Sequence, residues 1–150
     1  MRLFVGVWPP EHVLDALAAL PRRGSARWTR RDQWHITLRF VGEVDDATPW
    51  IARVRDVAAG FAAPTVILGP ETTILGRDNL VVPVTGLDDV AAACGAEKFR
   101  GHLTLARHAP RGLAGVRFDA SFVVDEIALI RSHLGSGPAV YETLSTARLG

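Results

Sequence analysis

The order of apolar and polar positions predicts strands and short helices in alternation along the whole chain. Leu3–Trp8 is apolar throughout, which predicts a central strand. Pro9-Pro10 turns the chain, and Val13, Leu14, Leu17, Ala18 and Leu20 then recur at helical spacing until Pro21. Trp34–Val41 predicts a second strand. Thr48 is expected to cap a following helix, with Pro49 in its first position and Ile51, Val54, Val57 and Phe61 on one face. Further strands are expected at Thr65–Leu68, Thr72–Leu75, Leu80–Val84, Gly101–Ala106, Phe118–Val124, Ile127–Arg131 and Tyr141–Ala147, with a short helix over Asp88–Cys94. Pro83 lacks the N–H that a ladder needs, so its strand is expected at a sheet edge. The class is α+β with mostly antiparallel strands, and no linker or repeat of low complexity divides residues 1–150.

Two of the predicted strands carry the same chemistry. Trp34-His35-Ile36-Thr37-Leu38 and Gly101-His102-Leu103-Thr104-Leu105 each read H-x-T, with aliphatic residues between and after. Residues two apart in a strand face the same way. Each segment can therefore bury its aliphatic pair and present an imidazole beside a hydroxyl. One such motif would be weak, but two with matched aliphatic positions have a chance expectation on the order of 10⁻⁵. Hydrolysing a phosphodiester requires taking a proton from water and giving one to the leaving oxygen. Imidazole is the side chain best placed near neutrality for either task. Threonine hydroxyls can donate to the non-bridging oxygens. His-x-Thr is not a zinc pattern and no Cys or Asp/Glu set completes one, so no metal and no cofactor is expected. On the same straight strand, Arg39 would share the face of His35 and Thr37, where it could hold the phosphate or simply be solvated. Phe4, Trp8 and Trp34 are candidates to stack on a base, although core packing is the commoner fate of such aromatics.

The paired H-[IL]-T-L motifs resemble those of the two-histidine (2H) phosphoesterases. RLFVGVWPP, WHITLRFVGEV, FRGHLTLAR and ALIRSHLGSGPAVYETL are similar to the LigT-like branch, also called the RNA 2′,3′-cyclic phosphodiesterase or 2′-5′ RNA ligase family. The resemblance covers nearly the whole chain. It implies one bilobal, pseudo-twofold domain, with two mostly antiparallel sheets and flanking helices around a central cleft. It implies hydrolysis of RNA or nucleotide 2′,3′-cyclic phosphates to 2′-phosphates, with His35 and His102 catalytic and Thr37 and Thr104 on the phosphate. His102 would be the base for water and His35 the acid. Arg107 matches the end of the HLTLAR segment and is a substrate-binding candidate on that ground, although a straight strand would turn it away. Only residues 88–101 separate Leu87 from His102, so the second lobe is expected to be trimmed. Gly101 stands where a proline often precedes the motif. The alternatives are a 2H enzyme acting on another phosphodiester, such as a 2′–5′ linkage or an oligoadenylate, and a non-catalytic module that binds RNA or nucleotides.

Composition adds limits. A net charge of +1 gives no overall field for wrapping duplex nucleic acid. A basic run, Arg22, Arg23, Arg27, Arg30 and Arg31, precedes the first motif, and a solvated face is its default reading. The single cysteine, Cys94, excludes an internal disulfide. No stretch has the roughly 20 apolar residues of a membrane span, so a cytoplasmic monomer without membrane partners is expected.

Overall fold

Residues 1–150, all described by the computed structural model, form ten strands and three α-helices. The strands are β1 (Arg2–Val7), β2 (Arg27–Trp28), β3 (Ile36–Glu43), β4 (Thr65–Leu68), β5 (Thr73–Leu75), β6 (Asn79–Thr85), β7 (His102–Arg107), β8 (Ala120–Val123), β9 (Glu126–His133) and β10 (Val140–Arg148). The helices are α1 (Glu11–Ala18), α2 (Thr48–Ala59) and α3 (Asp88–Ala93). The strands make one continuous path, β10-β9-β1-β3-β7-β6-β4-β8, with β2 and β5 attached beside β7 and β6. Every pairing is antiparallel. The middle of the path is thin, because β3 and β7 share a single register position, Ile36 opposite Leu103.

Side-chain alternation explains the layers. In β1, Leu3, Val5 and Val7 enter the main core, which includes Val13 and Leu17 of α1 and Val54 and Ala58 of α2. Phe4 points the other way and joins Ala128 and Ile130 in a second, small apolar cluster. Both faces of β1 are thus covered, as its unbroken apolar run predicts. Ile36, Leu38, Leu103 and Leu105 belong to the main core. Their polar neighbours His35, Thr37, His102 and Thr104 fall on the opposite face.

Two expectations need correction. Thr48 is the first helical residue of α2 and does not cap it; the Asp46 carboxylate accepts the Thr48 N–H at 3.0 Å. That bond holds the Asp46 pKa below the usual carboxylate value. The strand containing Pro83 is central, lying between β7 and the β4–β5 side. Pro83 sits where β5, paired through Val81, hands over to β4, which begins at Val84. Its carbonyl accepts the Gly69 N–H at 2.9 Å on that side, so its missing N–H falls in the gap between partners. Gly101 is a packing requirement. A Cβ there would run into the Val84 carbonyl, while the Val84 N–H donates to the Gly101 carbonyl at 2.9 Å. The segment before His102 holds the six-residue α3 and a turn at Gly95. No helix is long and apolar enough to cross a membrane.

Ile36 and Leu103 are both fully buried at the junction. Ile36→Ala and Leu103→Ala should each lower unfolding free energy by about 2–5 kcal/mol, against about 0.5–1.5 for Ile36→Val. Urea denaturation followed by tryptophan fluorescence checks this. An alanine cost below that of the valine variant would contradict the packing described.

Candidate active site

Extending the Ile36–Leu103 register puts His35 opposite Thr104 and Thr37 opposite His102. The two imidazoles lie on one diagonal of this rectangle and the two hydroxyls on the other. All four line one cleft of about 750 Å³. Each histidine is fastened in the same way. Nδ1 of His35 is 2.6 Å from the Gln33 carbonyl, and Nδ1 of His102 is 2.6 Å from the Arg100 carbonyl. A carbonyl only accepts, so Nδ1 carries the hydrogen in both rings. Nε2 is then the nitrogen left to gain or lose a proton. His35 Nε2 meets the Thr37 hydroxyl at 3.0 Å.

The surroundings of His35 are aromatic. Phe4 lies 4.9 Å from its ring, Tyr141 5.0 Å edge-on, and Trp8 5.9 Å edge-on. The Trp8 indole N–H donates to Thr143 at 3.0 Å, tying this box to β10. Burial lowers the His35 pKa; the hydrogen bond to Gln33 opposes this, and the nearby charges of His102 and Arg107 lower it further. Tyr141 is pushed up by burial in the same box. Tyr141 carried no mechanistic signal in the sequence, because its role as a wall depends on β10 folding back onto β9 and β1.

A bulge follows each motif. In β3, Val5 pairs with Arg39 and Gly6 with Thr37, leaving Leu38 as the extra residue. In β7, Leu80 pairs with Ala106 and Val81 with Thr104, leaving Leu105 extra. Each bulge reverses the alternation beyond it. This corrects the two arginine expectations together. Arg39 is carried to the helix side, where its guanidinium donates to the Cys94 carbonyl at 2.8 Å and covers the Trp50 ring at 4.9 Å. It does not line the cleft, and the Gly95 backbone makes room for it. Arg107, expected to turn away, returns to the cleft. The fifth residue after each histidine therefore faces the cleft: Phe40 after His35 and Arg107 after His102. Thr29 braces the second bulge. Its hydroxyl lies 2.8 Å from the Leu105 carbonyl and 3.1 Å from that of Thr104, and accepts the Trp34 indole N–H at 3.0 Å.

The aromatic candidates separate. Phe4 reaches the cleft but is only 4% exposed, and Trp34 only 2%; neither offers a free face to a base. Both sit on segments whose neighbours cover them. Phe40, 73% exposed in the cleft, offers one and was not singled out in the sequence. Arg2, Arg27, Arg30 and Arg107 line the cleft, and no Asp or Glu does. The basic run divides: Arg31 pairs with Glu11 and Asp15 at 2.8 Å, whereas Arg27 and Arg30 reach the cleft. Cys94 is buried in the core, which pushes its thiol pKa up to about 11. No group of three or more His, Cys, Asp or Glu is placed to hold a metal ion.

Residues 5–69 match the model of a family described as LigT-like phosphoesterase. No curated protein matches the sequence. TT0787 of Thermus thermophilus superposes with a TM-score of 0.81 at 28% identity, covering 99% of this chain and 98% of that one. E. coli LigT complexed with 3′-AMP gives 0.73 at 25% identity, covering 99% and 97%. The same protein complexed with phosphate gives 0.73 at 25%, covering 99% and 96%.

Because the folded state binds the His35 proton less readily than the unfolded chain does, this histidine's contribution to stability is complete above about pH 6.5. It is lost as pH falls through the lower, folded value. NMR titration of the free protein should show the His35 midpoint below about 6.5 with the hydrogen on Nδ1, and Arg107→Gln should move that midpoint upward. A midpoint at or above the ordinary histidine value in the unaltered protein would contradict the environment described.

Proposed function

We propose that this chain, which belongs to the LigT-like phosphoesterases of the 2H superfamily, hydrolyses RNA or nucleotide 2′,3′-cyclic phosphates to 2′-phosphates without a metal. One observation carries the reading: two identically fastened H-x-T pairs oppose each other across one register position, in a cleft with four arginines and no carboxylate. The common fastening and the common bulge also support reading residues 1–150 as one domain of two pseudo-symmetric lobes.

In the reaction, His102 Nε2 takes a proton from water as its oxygen attacks phosphorus. The P–O3′ bond breaks, and the O3′ oxygen receives the proton of His35 Nε2. The product carries a 2′-phosphate and a 3′-hydroxyl, and the next turnover begins when His102 returns its proton and His35 regains one. The lowered pKa of His35 makes its imidazolium a ready donor. A bound phosphodiester anion beside it opposes the lowering and loads the proton before the chemistry. When Nε2 is unprotonated, the Thr37 hydroxyl donates to it; once Nε2 is protonated, that hydrogen is free to turn to a non-bridging oxygen. Thr104 supplies the corresponding contact from the other motif, and Arg107 adds positive charge to the cleft beyond it. Phe40 offers its ring to the base. E. coli LigT has been solved with 3′-AMP and with phosphate, ligands of the same chemistry.

Purified protein should hydrolyse 2′,3′-cyclic nucleotides to 2′-phosphates at a rate unchanged by EDTA, with 3′,5′-cyclic nucleotides left intact. The kcat/KM profile should be bell-shaped, its low-pH limb below about 6.5 because of His35. Thr37→Ala and Thr104→Ala should each cost about 1.5–3 kcal/mol in kcat/KM, one hydrogen bond to a charged group. Activity abolished by EDTA and restored by a divalent cation, or 3′-phosphate products, would overturn the reading.

A further inference from the structure

Beyond the motif rectangle, the cleft holds more positive charge than one phosphodiester needs. Three of its arginines, Arg2, Arg27 and Arg107, make no ion pair, and two of these stand together on β2 and the end of β7. Arg27 and Arg107 are direct cross-strand partners, so their side chains leave the same face of the sheet side by side. Both are exposed, both line the cleft, and neither makes an ion pair. Like charges directly opposite each other destabilise a strand pair. A stabilising carboxylate is absent from the whole cleft lining.

The local backbone is built to keep this pair in place. β2 is only two residues long and takes the edge of β7 that β3 leaves after Leu103. The Thr29 N–H donates to the Leu105 carbonyl at 2.9 Å, and the Thr29 hydroxyl braces the same bulge. The bulge turns Arg107 into the cleft, and the β2 pairing sets Arg27 beside it. The pair also lies beyond the motif rectangle, toward one end of the cleft. Arg107 is four residues beyond Leu103, one of them the bulged Leu105, so roughly 10 Å along the strand at about 3.3 Å per residue. Phe40 is as far from Ile36 in the opposite direction, because β3 and β7 run antiparallel. The cleft therefore extends on both sides of the two histidines. Arg107 reaches back far enough to influence His35. Arg27, next to it and farther out, is left without a partner at the reacting phosphate.

We propose that Arg27, with Arg107, forms a second anion subsite that binds a phosphate on the 5′ side of the nucleotide whose cyclic phosphate is cleaved. The proposal rests on the phosphodiesterase reading for its orientation, but its chemistry is phosphate recognition by a guanidinium pair. Such a phosphate has two sources: the internucleotide phosphate of an oligonucleotide end, or the 5′-phosphate of a mononucleotide.

Two measurements on the full chain test it separately from the reaction. The first is calorimetric binding of adenosine 3′-monophosphate and adenosine 3′,5′-bisphosphate, with and without Arg27→Gln. The unaltered protein should bind the bisphosphate about tenfold more tightly or better, and Arg27→Gln should bring the ratio of the two affinities close to one. The second is kcat/KM for adenosine 2′,3′-cyclic phosphate, its 5′-phosphorylated form, and the dinucleotide ApA ending in a cyclic phosphate. Preference for both extended substrates, lost in Arg27→Gln, supports the subsite with either source. Preference for the dinucleotide alone assigns it to the internucleotide phosphate. Equal affinity for the two nucleotides, or a preference that survives Arg27→Gln in a variant with unaltered circular dichroism, would overturn the subsite. Arg27-dependent bisphosphate binding without hydrolysis of any substrate would uphold the subsite and reject the phosphodiesterase reading.

Discussion

The arrangement of the cleft depends on one backbone contact, the antiparallel pairing of Ile36 with Leu103. It is the sole register position joining β3 to β7, and therefore the sole point where the two halves of the sheet meet along the path. Because the period of a strand is two, a slip of one residue would turn every side chain to the other face. Burial of Ile36 and Leu103 opposes that slip, since it would expose both and bury four polar groups. The motifs carry their polar and structural information at once: the aliphatic residues set the register, and the register brings the imidazoles together. Beyond Leu103 the strands separate, which opens the cleft and leaves an edge for β2.

Electrostatics builds on that geometry. Each imidazole is oriented by a carbonyl two residues earlier, so both present Nε2 without help from a buried carboxylate. A carboxylate beside either ring would raise its basicity and repel the phosphate. The cleft instead uses arginines at its margins and an aromatic box around His35. Burial in the box lowers the affinity of His35 for a proton, and an anion bound beside it would oppose that. His102 has no aromatic ring packed against it and is only half-buried. The same motif thus meets two different surroundings.

Much of this was legible in the sequence. The two H-x-T segments, their burial alternation, the strands from Thr65 to Leu75 and the short α3 follow from periodicity and turn residues. The bulges did not, and they decide where Arg39 and Arg107 point. Their trace was present: Leu105-Ala106 are consecutive apolar residues in a strand that otherwise alternates, and the polar Arg107 follows at the wrong parity. In β3 the trace is reversed, with a polar Arg39 at the expected parity and an apolar Phe40 after it. Local pattern cannot separate that from a straight strand, because the partner's register defines the bulge. Pro83 misled for a related reason, since a break between two partners on one edge tolerates proline as well as a free edge does. The roles of Trp8, Tyr141 and Arg27 arise from strands distant in sequence, which no window along the chain contains.

The central claim is that His35 and His102 act on one phosphate as a single acid–base unit. Single-turnover hydrolysis of a 2′,3′-cyclic nucleotide by the unaltered protein, His35→Ala, His102→Ala and the double variant tests it most directly. Each single replacement should lower the rate about 10²–10⁴-fold. The double variant should fall well short of the product of the two losses, because one missing proton transfer leaves the other group less transition state to stabilise. Less than a tenfold loss for either histidine in a folded protein would contradict the account, as would losses that multiply in full.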